Sequence, residues 1–311
     1  MIKLVLATAL LALSVSASPA PPRAEANLEK RFKVLSGQWD YEDIGEGNQY
    51  RLYNNLHGLG QPGTTGSQST QALSYKEPAT IGWKTQYTWS GNPGNVKSYA
   101  NAALQQGQDT RKKLSAINSI PTSWTWGYNA APSTLVADVS YDLWLSNDPK
   151  SGTASPSSTF EIMIWLSNRK AGPAGSQIAT ANIGGLGWKL FKGKVGTWEV
   201  YSFVANSELH NYHADLKHFF TGPAGSQIAT VNIGGLGWKL FKGKVGTWEV
   251  YSFVANSELH NYHADLKHFF TYLSQSQGVS LDQYLVALQA GTEPFVGSGT
   301  LTTTAYSAAI N

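Results

Sequence analysis

The chain has 311 residues, a net charge of only +3 and no cysteine. Charged residues make up 14 %, well below the ~25 % of an average domain, so nothing in the charge balance suits nucleic acid or an acidic membrane. The eleven Trp and many small polar residues fit a protein that handles neutral, hydrated ligands and draws its stability from a core rather than from disulfides.

Lys3, the apolar run Leu4 to Val15 and the small residues Val15-Ser16-Ala17 make a segment too short to cross a bilayer. It reads as a secretory signal peptide over residues 1–17. Residues 18–31 form a possible pro-segment, Pro/Ala-rich and ending Leu28-Glu29-Lys30-Arg31. The dibasic pair is either a kexin-type processing site, which makes Phe32 the mature N-terminus, or part of an ordinary charged linker. From residue 32 to 311 the pattern is that of a single domain, and no Pro/Ser/Thr-rich linker leads to an appended module.

Short alternating runs broken by Gly, Ser, Asn and Pro predict an all-β fold, an antiparallel sandwich or barrel. In Val136–Leu145, Val139, Tyr141, Leu143 and Leu145 share the core face, while Asp138, Ser140 and Asp142 oppose them. In Thr159–Leu166, Phe160, Ile162, Ile164 and Leu166 point inward, and Glu161, Met163 and Trp165 point the other way. In Gln283–Phe295, Gln289, Gly291 and Glu293 share a face. Strand acids beside aromatics suit glycosidic cleavage, in which one carboxylate attacks or activates water and the other protonates the leaving oxygen. Helical signal is scarce and clearest in Tyr262–Ser276, with an apolar stripe of Leu266, Phe269, Phe270 and Leu273; its twin starts at Tyr212 and is cut short at Gly222-Pro223.

That twin exists because residues 172–221 and 222–271 are the same fifty-residue sequence written twice, differing only at Ala181 and Val231. Two copies are too few for a repeat architecture, so one copy is surplus to a fold that needs the segment once. Removing it leaves a domain of about 230 residues. Either copy, or a hybrid with strands from the first and helix from the second, fits the vacant place. The excursion costs about 3.5 kcal/mol in loop closure, and its unpaired strands, such as Gly196–Ala205, invite edge-to-edge association.

Phe160-Glu161-Ile162-Met163-Ile164-Trp165-Leu166 and Leu288-Gln289-Ala290-Gly291-Thr292-Glu293-Pro294-Phe295 resemble the two catalytic segments of glycoside hydrolase family 12. The resemblance extends through Ser36-Gly37-Gln38-Trp39-Asp40, Tyr53-Asn54-Asn55-Leu56, Val96-Lys97-Ser98-Tyr99, Asp138-Val139-Ser140-Tyr141-Asp142 and Val200-Tyr201-Ser202-Phe203. It implies a β-jelly roll of two curved antiparallel sheets with one main helix, an open cleft across one sheet and a retaining double displacement. It further implies Glu161 as nucleophile, Glu293 as acid/base and Asp142 as the carboxylate beside the nucleophile. Trp39, Asn54 and His57 match positions on the glycone side of the cleft, with Met163, Trp165 and Phe295 as further substrate contacts. Trp83, Trp89, Trp124 and Trp126 are equally readable as sugar platforms or as core.

The implied activity is that of a secreted endo-β-1,4-glucanase acting as a monomer on a plant cell-wall β-glucan, without cofactor, metal, nucleic acid or membrane. Xyloglucan and cellulose-type glucan both stay open as substrates. The chain departs from the family pattern at Ser36 and Ser69, where many members carry a disulfide, and at His57, where relatives carry Trp. The segment Ser167–Gly175, which borders the cleft in the family, is slightly short. The duplicated His210, His213 and His218 (again His260, His263 and His268) lack the carboxylates or thiols that complete a metal site. The rival from another class is a catalytically impaired, sugar-binding or plant-recognised relic spoiled by the insert.

Overall fold

A computed structural model describes residues 32–105, 111–153, 155, 157–183, 186–195, 197–215, 226–233, 236–245, 248–253 and 280–311. The helix expected at Tyr262–Ser276, the leader over residues 1–31 and His218, His260, His263 and His268 lie outside these residues. The chain begins with β1 (Val34–Leu35), β2 (Tyr41–Ile44), β3 (Tyr50–Tyr53), β4 (Thr65–Lys76), β5 (Thr80–Ser90) and β6 (Ala100–Leu104). It continues with β7 (Pro121–Ala130), β8 (Val136–Ser146) and β9 (Ser158–Arg169). Copy one supplies β10 (Ser176–Ile183), β11 (Leu186–Val195), β12 (Trp198–Ala205) and β13 (Asn211–Asp215). Copy two supplies β14 (Ser226–Ile233), β15 (Leu236–Val245) and β16 (Trp248–Phe253), and β17 (Tyr284–Ala308) closes the chain.

The result is a β-jelly roll. One sheet runs β2-β3-β6-β17-β8-β9-β12-β11-β10 and the other β1-β4-β5-β17-β7-β13. Neighbours are antiparallel apart from β9 and β12, which run parallel because the β10–β11 hairpin intervenes between them. The last strand belongs to both sheets: Tyr284 to Val296 pairs with β8, and Gly297 to Tyr306 pairs with β5. At Gly297-Ser298-Gly299 the continuous strand bends between layers. Gly297 has φ +106°, and a Cβ there would lie 2.9 Å from the Leu135 Cα, so only glycine suits the bend.

The core between the sheets follows the expected alternation. Val139, Tyr141, Leu143, Leu145, Ile162, Ile164 and Leu166 are all buried in it, with Phe160 half-buried against it. Trp83, Trp124 and Trp126 join them, Trp83 and Trp124 stacking at 6.0 Å. Trp89 is buried in a smaller cluster with Tyr87 and Leu56. All four tryptophans left open by the sequence are therefore core residues.

Copy one occupies the sandwich. Its β12 pairs with the Glu161 strand from Glu199↔Phe160 to Val204↔Trp165, and its β13 pairs with β7. Copy two's strands form a separate three-stranded sheet, β14-β15-β16, with the same register shifted by fifty residues, lying against β10–β12. The helical start expected at Tyr212 is instead strand. Tyr212 is buried against Tyr141 and Trp188, with ring centroids 6.0 and 6.1 Å away, and tertiary packing overrides the helical period there.

Candidate active site

The strand alternation that buries one face of β8, β9 and β17 in the core turns their other face into the floor of a cleft of about 710 Å³. Register sets the acids on that face: Glu293 lies opposite Asp138, Gln289 opposite Asp142, and Trp144 opposite Glu161. Between Glu293 and Gln289 sits Gly291, where a Cβ would come within 2.2 Å of the Ala100 carbonyl oxygen. Glycine here lets β6 lie tightly against β17.

Asp138, Asp142 and Glu161 are almost wholly removed from water, Glu293 is half-buried, and burial dominates the protonation of all four. Burial pushes Glu161 up to about 7, opposed by the hydrogen bonds it receives. The indole Nε1–H of Trp198 donates to its Oε2 at 2.7 Å. Burial raises Asp138 to about 8, with Ser140 Oγ donating to its Oδ1 at 2.9 Å. Asp142 lies well above the ordinary range through burial and then the charge of Glu161. Glu293 does so through burial followed by the charges of Asp138, Asp142 and Glu161. Glu161 is raised less than Glu293, so Glu161 ionises while Glu293 keeps its proton. That pairs an ionised carboxylate with a carboxylic acid on one cleft face, the division of labour that general acid and nucleophile require.

Of the residues expected from sequence, Glu161, Glu293, Asp142, Trp39, His57, Met163, Trp165 and Phe295 all line the cleft. Met163, Trp165 and Phe295 form an apolar cluster with Val200 and Val204, and Ser202 Oγ contacts the Met163 sulfur at 3.6 Å. Trp39 stands at the rim, 62 % exposed. Asn54 is a correction: it is fully buried and does not reach the cleft. Its amide donates to the Gly37 carbonyl at 3.0 Å and its Oδ1 accepts from Thr70 at 3.0 Å, so its hydrogen-bonding capacity serves the wall. The neighbouring Asn55 faces the cleft instead.

Trp198, Tyr99 and Trp144, not among the site residues expected from sequence, also line the cleft. Trp144 was legible, since the period-two pattern through Asp138 and Asp142 continues to it. Trp198 lies within the repeat, at the very strand discounted as spare. Gly172 and Ala174 place part of the shortened segment at the cleft, as expected. Among the described residues no group of His, Cys, Asp and Glu is arranged to hold a metal. His213 contacts Ser123 Oγ at 2.7 Å, and His210 approaches Glu208 at 3.3 Å.

A jelly roll with buried acids across an aromatic-lined cleft defines a glycoside hydrolase. The chain matches Glycosyl hydrolase family 12 over residues 48–222 and again over 221–311, so each copy of the repeat is matched once. It belongs to that family. A xyloglucan-specific endo-β-1,4-glucanase A of Aspergillus aculeatus is 39 % identical, covering 92 % of this chain and 94 % of its own. A xyloglucan-specific endo-β-1,4-glucanase of Phytophthora nicotianae is 38 % identical over 88 % and 90 %. Among solved structures, endoglucanase 3 of Trichoderma harzianum, from family GH12, superposes with a TM-score of 0.66 at 31 % identity, over 93 % of this chain and all of that one.

Proposed function

We propose that this chain is a secreted, retaining endo-β-1,4-glucanase, with xyloglucan as first substrate and cellulose-type β-glucan as second. The observation that carries the reading is the grouping of Glu161, Glu293 and Asp142 on one face of a cleft lined by Trp39 and Trp165. Xyloglucan comes first because it is the substrate named for both curated relatives. Secretion is supported by the leader pattern of residues 1–17. Among the described residues no helix is long and apolar enough to cross a membrane.

In the first step the Glu161 carboxylate attacks the anomeric carbon while Glu293 gives its proton to the departing glycosidic oxygen. The C–O bond breaks and a glycosyl ester forms on Glu161. In the second step Glu293, now ionised, takes a proton from water as the water oxygen attacks the same carbon and releases Glu161. Trp198 holds the Glu161 carboxylate by its indole N–H, and burial together with the charge of ionised Glu161 keeps the proton on Glu293 before reaction. Release of reducing ends from tamarind xyloglucan, carboxymethylcellulose and barley β-glucan, with Glu161→Gln as control, tests the reading. Activity on none of the three by folded protein overturns it, and activity unchanged in Glu161→Gln overturns the nucleophile assignment.

A further inference from the structure

The cleft face of the larger sheet continues past the carboxylates to β3 and β2. Ile44, Tyr50 and Leu52 point into the core, so alternation sends Tyr41, Asp43, Arg51 and Tyr53 to the cleft face. Tyr41 pairs with Tyr53 and Asp43 with Arg51. The same rungs run on through Asn101 and Ala103 of β6 to Gly291 and Gln289 of β17, and then to Ser140 and Asp142. Two to three strand spacings, ~10–14 Å, separate this group from the strand of Glu293.

The group is ordered and open. The Tyr41 and Tyr53 ring centroids are 5.9 Å apart, and the Arg51 Cζ sits 4.2 Å over the Tyr41 ring. Arg51 is fixed in turn by Asp43, with Nε and Nη2 donating to the two carboxylate oxygens at 2.6 and 2.9 Å. Tyr41 nevertheless stays 48 % exposed, and it lies two residues beyond Trp39, which lines the cleft. The paired rings add little to the core, while the stack and ion pair lower the entropy cost of immobilising them on a ligand. Aromatic faces suit the CH faces of a sugar, and the guanidinium N–H groups that Asp43 leaves free suit hydroxyls. Asp43 neutralises Arg51, so a neutral polyol fits better than an anion.

We propose that Tyr41, Tyr53 and Arg51 form an additional sugar-binding platform, which holds the distal part of a long β-glucan chain whose reacting bond lies at Glu161 and Glu293. The occupant is the same chain because the platform shares the rungs of the catalytic face. The inference rests on the glucanase reading, and the test separates the two. In the Glu161→Gln background, calorimetry compares binding of a β-1,4-gluco-tetrasaccharide and an octasaccharide. The octasaccharide binds more tightly by about tenfold, Tyr41→Ala removes about fivefold of that advantage, and Tyr41→Phe keeps it. An unchanged ratio, or an equal loss for both lengths, overturns the platform. Binding of neither oligosaccharide by Glu161→Gln overturns the glucanase reading itself.

Discussion

Replacing Trp198 by Phe removes one hydrogen bond from Glu161 and little else. The ring that remains keeps the apolar contact with Trp144, now 5.4 Å between centroids. The lost bond is an N–H donated to a carboxylate at 2.7 Å, a class that contributes about 1.5–3 kcal/mol. Because this bond favours the charged form, its loss raises the protonation midpoint of Glu161 from about 7. At 1.36 kcal/mol per pH unit, the move is about 1–2 units upward. The attacking carboxylate must be ionised, so the acid limb of kcat/KM shifts to higher pH, and activity one unit below the original midpoint falls by about tenfold to a hundredfold. Trp248, the same residue in copy two, stands on a strand paired with β15 rather than with β9. Trp248→Phe therefore leaves the acid limb in place. Kinetics on soluble xyloglucan across pH for both variants read the difference. A shifted limb in Trp248→Phe together with an unshifted one in Trp198→Phe refutes the placement of copy one beside Glu161.

Glu161→Gln changes stability as well as activity. A carboxyl whose folded midpoint lies above its unfolded one costs stability that is absent below pH 4.5 and complete above about 7. The variant therefore gains up to about 3 kcal/mol at pH 8 and nothing at pH 4 in urea unfolding; an equal change at both pH values contradicts this. Ser36 and Ser69 follow the register Leu35↔Thr70 into opposition and line one surface groove. The double substitution Ser36→Cys with Ser69→Cys is expected to close a disulfide and to add about 3–4 kcal/mol, less any strain. Two free thiols in the folded, oxidised protein would count against that geometry. Deleting residues 222–271 joins Thr221 to Tyr272 and leaves every described strand of the sandwich in place. The shorter chain is expected to keep its activity and to give more soluble protein, since the spare strand edges are gone; equal yield and equal thermal midpoint contradict the expectation.

The core and the acids were legible because both rest on strict alternation. Val139, Tyr141, Leu143 and Leu145 cannot all be buried without turning Asp138 and Asp142 to the other face, and the same holds for Glu161 in β9. What alternation cannot convey is which polar side chain a wall consumes. Asn54 and Asn55 are neighbours of the same type, yet Asn54 is held inside by Gly37 and Thr70 while Asn55 faces the cleft. Nor do local signals distinguish a glycine that bends a strand from one that ends it, so the final strand ran on through Gly297 unanticipated. The repeat hid Trp198 for a different reason: two near-identical segments carry no local information about which of them meets Glu161, and the choice is made by chain connectivity and packing.

The claim at the centre of the account is attack by an enzyme carboxylate, and the anomer of the first product reports it directly. Proton NMR of a β-1,4-gluco-oligosaccharide digest, followed before mutarotation, is expected to show the new reducing end appearing as the β-anomer, since two inversions restore the starting configuration. First appearance of the α-anomer would mean that water attacks in a single displacement and would contradict Glu161 as the nucleophile.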